Sequence, residues 1–86
     1  MLGRYKKLSG ESLAMIPAVG EVYLHAKSGR RYIIYCISKS GDRESNQLFV
    51  TYRAEEDKEA TQLFTRTLED FFALVYAGVR RFIQIK

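Results

Sequence analysis

Residues 31–38 read Arg-Tyr-Ile-Ile-Tyr-Cys-Ile-Ser, a β-branched and aromatic run that suits a sheet better than any other element. At a period of two, Tyr32, Ile34 and Cys36 face one way, and Ile33, Tyr35 and Ile37 the other. Both sets are apolar, so both faces of this strand call for cover. A small domain can cover one face with its own core. The other needs barrel closure, the N-terminal segment or a second copy of the chain.

The same period recurs around this strand. Val22, Leu24 and Ala26 alternate with Tyr23 and His25, which predicts a preceding strand over residues 22–26. Lys27-Ser28-Gly29-Arg30 then forms a hairpin turn, with Gly29 free to take a positive φ. Ser40-Gly41-Asp42 opens the next turn, and residues 47–53 predict a third strand. Residues 55–59 form a charged loop, residues 61–66 a fourth strand and residues 79–85 a fifth.

Between the last two strands the period changes. Leu68, Phe71, Phe72 and Val75 recur at i, i+3, i+4 and i+7, with Thr67 as N-cap, Asp70 three residues on and Gly78 at the C-terminus. The spacing predicts about ten residues of helix lying apolar face down on the sheet. The expected fold is therefore mainly β, a small SH3-like or half-open antiparallel barrel of about five strands with one helix between strands four and five. Residues 20–86 form this domain and residues 1–19 an N-terminal arm. In the arm, Ser9-Gly10-Glu11-Ser12 begins a turn or helix, and Leu13-Ala14-Met15-Ile16 forms one helical turn that Pro17 stops.

Composition narrows the functional classes. The chain has 86 residues, enough for one domain with a modest core. Its hydrophobic share of 47% and charged share of 28% exclude a disordered polymer. The net charge of +4 favours anionic partners without naming one. Cys36 is the single cysteine, so no internal disulfide is available and a reducing, cytoplasmic setting is expected. Arg4, Lys6 and Lys7 precede no apolar run of signal-peptide length, and no segment approaches the ~20 apolar residues of a membrane span.

These motifs resemble those of a bacterial family of small single domains of unknown function. Members of that family read Tyr-x-His-x-x-Gly, an alternating strand opened by Tyr, a Val-Val-Tyr strand, Trp-Val-Arg-Pro-Leu-x-x-Phe, and an Arg-Phe-x-x-Ile ending. Here Tyr23, His25, Gly29 and Tyr32 match the opening, and Phe49, Val50 and Tyr52 the middle strand. Phe64, Thr65, Arg66, Leu68 and Phe71 match the signature, and Arg81, Phe82 and Ile85 the ending. The likeness spans about residues 21–85, with Phe64 where Trp is usual, Thr67 in place of Pro and a first turn one residue longer. It implies a small β-rich fold and no activity.

The chemistry-bearing residues are few. His25 is the single histidine, and on a strand beside Tyr23 a structural hydrogen-bonding role outweighs a catalytic one. Cys36 could form a thiolate–imidazole couple with His25 if their strands are neighbours, but no orienting third group is evident, and a small buried hydrophobe is the stronger reading. Glu55, Glu56, Asp57 and Glu59 lack the spacing of a calcium loop and suit a solvated loop tip. No catalytic residue, metal site or cofactor is expected.

Arg66 stands out, because it ends a strand just before a helix whose N-terminal amides attract anions. Lys27, Arg30 and Arg31 in the first hairpin could face the same region, with tyrosines nearby for phosphates and stacked bases. The equal alternative is that these cations pair with the acidic loop. The expected ligand-binding set is Tyr23, His25, Lys27, Arg30, Arg31, Tyr52 and Arg66. The expected function is a non-catalytic anion-binding module, first of all a nucleic-acid-binding accessory domain. The alternatives are a homo-oligomer that sequesters a small phosphorylated ligand, nucleotide or signalling metabolite, and a protein-interaction or inhibitor domain. No membrane partner is expected.

Overall fold

The computed structural model describes residues 4–7, 13–42 and 45–86, with backbone alone for 4–7 and 13–15. In chain order the elements are β1 (Arg4–Lys7), β2 (Leu13–Ile16), β3 (Val22–His25), β4 (Arg31–Lys39), β5 (Leu48–Ala54) and β6 (Phe64–Thr67). There follow α1 (Leu68–Phe71), β7 (Leu74–Tyr76), β8 (Val79–Arg80) and β9 (Phe82–Gln84). The fold is mainly β. A five-stranded antiparallel sheet runs in the order β6-β5-β4-β3-β9, beside two two-stranded hairpins, β1–β2 and β7–β8.

The alternating segments make the central strands, as expected. Gly29, at φ 73°, turns β3 into β4. The last strand, β9, returns to lie beside β3, so β6 and β9 are the two edges and the sheet stays open among the described residues. No closed barrel forms among the described residues.

A bulge decides which side chains meet. Ile34 is opposite Tyr52 while Cys36 is opposite Thr51, so β4 carries an extra residue at that point. The extra residue reverses the alternation. Ile37 comes to face Val50 and packs against the core with Tyr32, while Cys36 joins Thr51 on the opposite face. The simple alternation expected for this strand therefore holds up to Ile34 and is inverted beyond it.

The core lies on one face of the sheet. Tyr23, Ile34, Val50, Tyr52 and Phe82 from the strands, with Leu68 and Phe71 from α1 and Ile16 from β2, are buried together. The opposite face carries Ile33, Tyr35, Cys36, Phe49, Ile83 and Ile85, of which Tyr35, Ile83 and Ile85 are exposed.

Three expectations are corrected. The helix is four residues long, not about ten. Thr67 caps it by accepting from the Asp70 N–H at 3.1 Å, but Phe72 already ends it, and residues 74–80 form the β7–β8 hairpin. Ala77 at φ 36° and Gly78 at φ 77° are the two positive-φ residues of that hairpin's turn, so Gly78 turns strands and does not close a helix. The aromatic and β-branched residues 72–76 favour a strand, and a lone ten-residue helix is marginal without tertiary support.

The fifth strand is split. β8 pairs with β7 and β9 with β3, the chain stepping between sheets at Arg81. In the arm, residues 13–16 are a strand, not a helical turn, because they pair with β1. The Ser9-Gly10-Glu11-Ser12 turn lies outside the described residues. No helix of the described residues is long and apolar enough to cross a membrane.

Candidate anion-binding site

Register places Tyr23, Tyr32, Tyr52 and Phe64 in adjacent strands on the core face. Phe71 of α1 packs on Tyr23, Tyr52 and Phe82, with ring centroids 5.1, 5.8 and 4.3 Å away. Where α1 leaves off, His25, Tyr32, Phe64 and Arg66 remain half-buried on that same face.

Arg66 is held on three sides. Its Nε donates to the Tyr52 hydroxyl at 3.0 Å, its Nη1 donates to Asp70 Oδ2 at 2.6 Å, and its guanidinium carbon lies 5.9 Å from the Phe82 ring centroid. Among the described residues no hydrogen bond occupies its Nη2. Burial pushes the Tyr52 phenol up, partly offset by the Arg66 bond, so at neutral pH Tyr52 keeps its proton and accepts from Arg66.

Asp70 joins a second guanidinium to the first. Arg81 donates from Nε to the Asp70 carbonyl at 3.2 Å and from Nη2 to Asp70 Oδ1 at 3.4 Å. One carboxylate thus gathers two arginines, both with side chains less than a third exposed. The step from β8 to β9 creates this arrangement, because it turns Arg81 back toward α1.

His25 completes the cluster. Its ring lies 5.1 Å from that of Phe82, on which Arg66 also packs. Burial lowers its pKa, and the positive charges of Arg66, Arg81 and Lys27 lower it further. His25 Nδ1 lies 2.8 Å from Ser28 Oγ, which also accepts from the Arg30 N–H at 3.2 Å.

The expected ligand-binding residues divide. Tyr23 is fully buried, its hydroxyl donating to Glu21 Oε1 at 3.2 Å, which makes it a core residue. Tyr52 is buried apart from its link to Arg66. Arg30 pairs with Glu56 at 2.9 Å, and Arg31 pairs with Glu55 at 3.0 Å on the opposite face from Tyr32. Those two arginines meet the acidic loop, the alternative that the sequence left open. His25 and Arg66 both lie against the Phe82 ring, while Lys27 is exposed.

His25 and Cys36 lie on neighbouring strands but on opposite faces, so the thiolate–imidazole couple does not form. Among the described residues no group of three His, Cys, Asp or Glu is placed to hold a metal ion. In the four-residue α1, Thr67 takes the Asp70 N–H, one of the N-terminal amides that the sequence offered to an anion. Arg81 and Asp70 were missed as site residues. Arg81 carried a signal only as a match to the quoted family ending, and Asp70 only in lying four residues after Arg66, across the turn from β6 into α1.

No known protein family, curated protein or solved structure matches the chain. The likeness to the bacterial domain family rests on the quoted motifs alone.

Proposed function

We propose that the chain is a non-catalytic anion-binding module in which Arg66, Arg81 and His25 receive a phosphate, in the first instance that of a single-stranded nucleic acid. The convergence of Arg66 and Arg81 on the single carboxylate of Asp70 carries this reading. The positive charges of Arg66 and Arg81 outnumber the negative one of Asp70, and after burial the charges of Arg66, Arg81 and Lys27 add to the lowering of the His25 pKa. A phosphate entering here meets two guanidinium groups beside the His25 ring, without first having to order long side chains.

The half-buried rings of Tyr32 and Phe64 on the same face add surfaces suited to bases. Half-open barrels, SH3-like ones among them, offer such a face, and this is the finer architecture we propose for the sheet.

The test is anisotropy of a labelled single-stranded oligonucleotide across salt concentrations. Affinity should fall steeply with salt, and Arg66→Gln should weaken it and reduce the logarithmic salt slope by about 1. Absence of binding at low salt, or binding indifferent to Arg66, overturns the reading.

A second reading has its own observation. Tyr35, Ile83 and Ile85 are 47%, 41% and 42% exposed on the face opposite the core. Such a face favours a homo-oligomer, which could close a site around a small phosphorylated ligand, or a protein partner. Sedimentation of the purified chain decides: a monomer at all concentrations removes the oligomeric reading.

A further inference from the structure

Beside the Arg66 cluster the core face opens into a depression of about 270 Å³. Tyr32 and Phe64 contribute its aromatic walls, and the Arg30–Glu56 pair, Asp57 and Gln62 its polar rim. We infer that this depression receives the planar ring of one unpaired nucleobase, whose own phosphate lies at Arg66. The inference rests on the anion-binding reading and specifies its ligand.

The ring geometry is the first argument. Phe64 stacks on Tyr52 with centroids 5.6 Å apart and planes 23° apart, while Tyr32 stands at 83° to Tyr52 and 84° to Phe64. A flat ring entering beside Phe64 therefore extends an existing stack along a perpendicular wall, the arrangement in which aromatic side chains hold bases.

Charge is the second. Arg30 is neutralised by Glu56 at 2.9 Å, and Asp57 accepts from the Thr61 N–H, the Thr61 hydroxyl and the Gln62 N–H at 3.1, 2.9 and 3.0 Å. Those bonds hold the Asp57 carboxyl below its ordinary pKa, so it stays ionised. With the Arg53 guanidinium donating to the Asp57 carbonyl at 3.2 Å, the rim's charges are compensated on both sides; among the described residues it offers a phosphate no free cation but accepts a neutral ring with N–H donors. The side-chain amide of Gln62, exposed and without a hydrogen bond among the described residues, can both donate to and accept from a base edge.

Spacing is the third. Phe64 and Arg66 lie two residues apart on β6 and face the same way, so their Cα atoms are separated by about 7 Å. Ring and phosphate of one nucleotide can therefore be met by one strand.

The experiment compares a single-stranded octamer with an abasic octamer of equal charge, by anisotropy and by amide chemical-shift mapping. The base-bearing strand should bind about tenfold more tightly and shift the amides of Thr61, Gln62 and Phe64. The abasic strand should shift only the surroundings of Arg66 and Arg81. Gln62→Ala, an exposed change that spares the core, should narrow the difference while leaving abasic affinity unchanged, and Phe64→Leu should narrow it further.

Equal affinity for the two strands overturns the base site and leaves anion binding standing. Failure of both strands to bind overturns both. Adenosine 5′-monophosphate distinguishes the sources of the ligand. Shifts of the same amides by the free nucleotide at millimolar concentration show that one nucleotide suffices, and shifts by the octamer alone assign the site to a strand.

Discussion

The ring of Phe71 lies flat on that of Phe82, with centroids 4.3 Å apart and planes 4° apart. This pair joins the short helix to the last strand, and both rings are buried to within 1% of full cover. The aromatic face on which Arg66 and His25 rest depends on it, because Phe82 touches both.

Phe71→Ala should therefore cost about 3–5 kcal/mol of stability, which approaches the whole of what a domain of this size possesses. Urea unfolding followed by circular dichroism measures it. Phe72→Ala, at a half-buried ring, should cost clearly less. Equal losses would contradict the packing described.

Tyr23 donates to Glu21, whose Oε1 also accepts from the Ala18 N–H at 2.9 Å. Burial, then the Glu21 charge, raises the Tyr23 phenol far above its ordinary range, so it remains a donor at all working pH values. The other Glu21 oxygen is buried without a partner among the described residues. Tyr23→Phe should destabilise by about 1–3 kcal/mol, because Glu21 loses one of its few donors. A neutral result would mean that Glu21 finds another donor once Tyr23 is gone.

Asp70 competes with an incoming anion for Arg66 and Arg81. Its own side chain is 42% exposed, so Asp70→Asn should cost no more than about 1 kcal/mol of stability. Oligonucleotide affinity should rise about threefold, the scale of removing one nearby charge in water-like surroundings. A fall in affinity would show instead that Asp70 holds the arginines in their binding positions.

The lowered pKa of His25 has a definite sign. As pH falls below 6.5 the unfolded chain takes up a proton that folded His25 still refuses, so stability declines with acidification. The decline stops once pH passes below the folded pKa, where both states are protonated. An NMR titration of the ring should give a midpoint below 6.5, and bound oligonucleotide should move it upward, because a phosphate offsets the field of Arg66, Arg81 and Lys27. His25→Asn should remove this part of the pH dependence. A midpoint unmoved by saturating ligand would place the phosphate elsewhere.

Much of the sheet was legible because alternation is a local property. Tyr23, Tyr32, Ile34, Val50 and Tyr52 needed only a period of two to be assigned to strands, and Gly29 only its freedom of φ. Thr67 was legible as a cap for the same reason, since its partner lies three residues away. Residues 72–78 were not. Their apolar spacing suits a helix as well as a hairpin, and pairing of β7 with β8 decides for the hairpin.

The candidate site divides along the same line. Residue type marked Arg66, whose planar donors suit an anion wherever it is held, while the turn from β6 into α1 brings Asp70 within its reach. Residue type could not separate Tyr23, sealed in the core, from Tyr32, left open at its edge, nor free Arg30 and Arg31 from Glu56 and Glu55. Sequence by itself determined a two-period sheet, its first turn and the cap at Thr67, because each is settled among near neighbours in the chain. Tertiary structure decided the bulge after Ile34, the four-residue helix and the meeting of Arg81 with Arg66, because each depends on contacts between residues far apart in the chain.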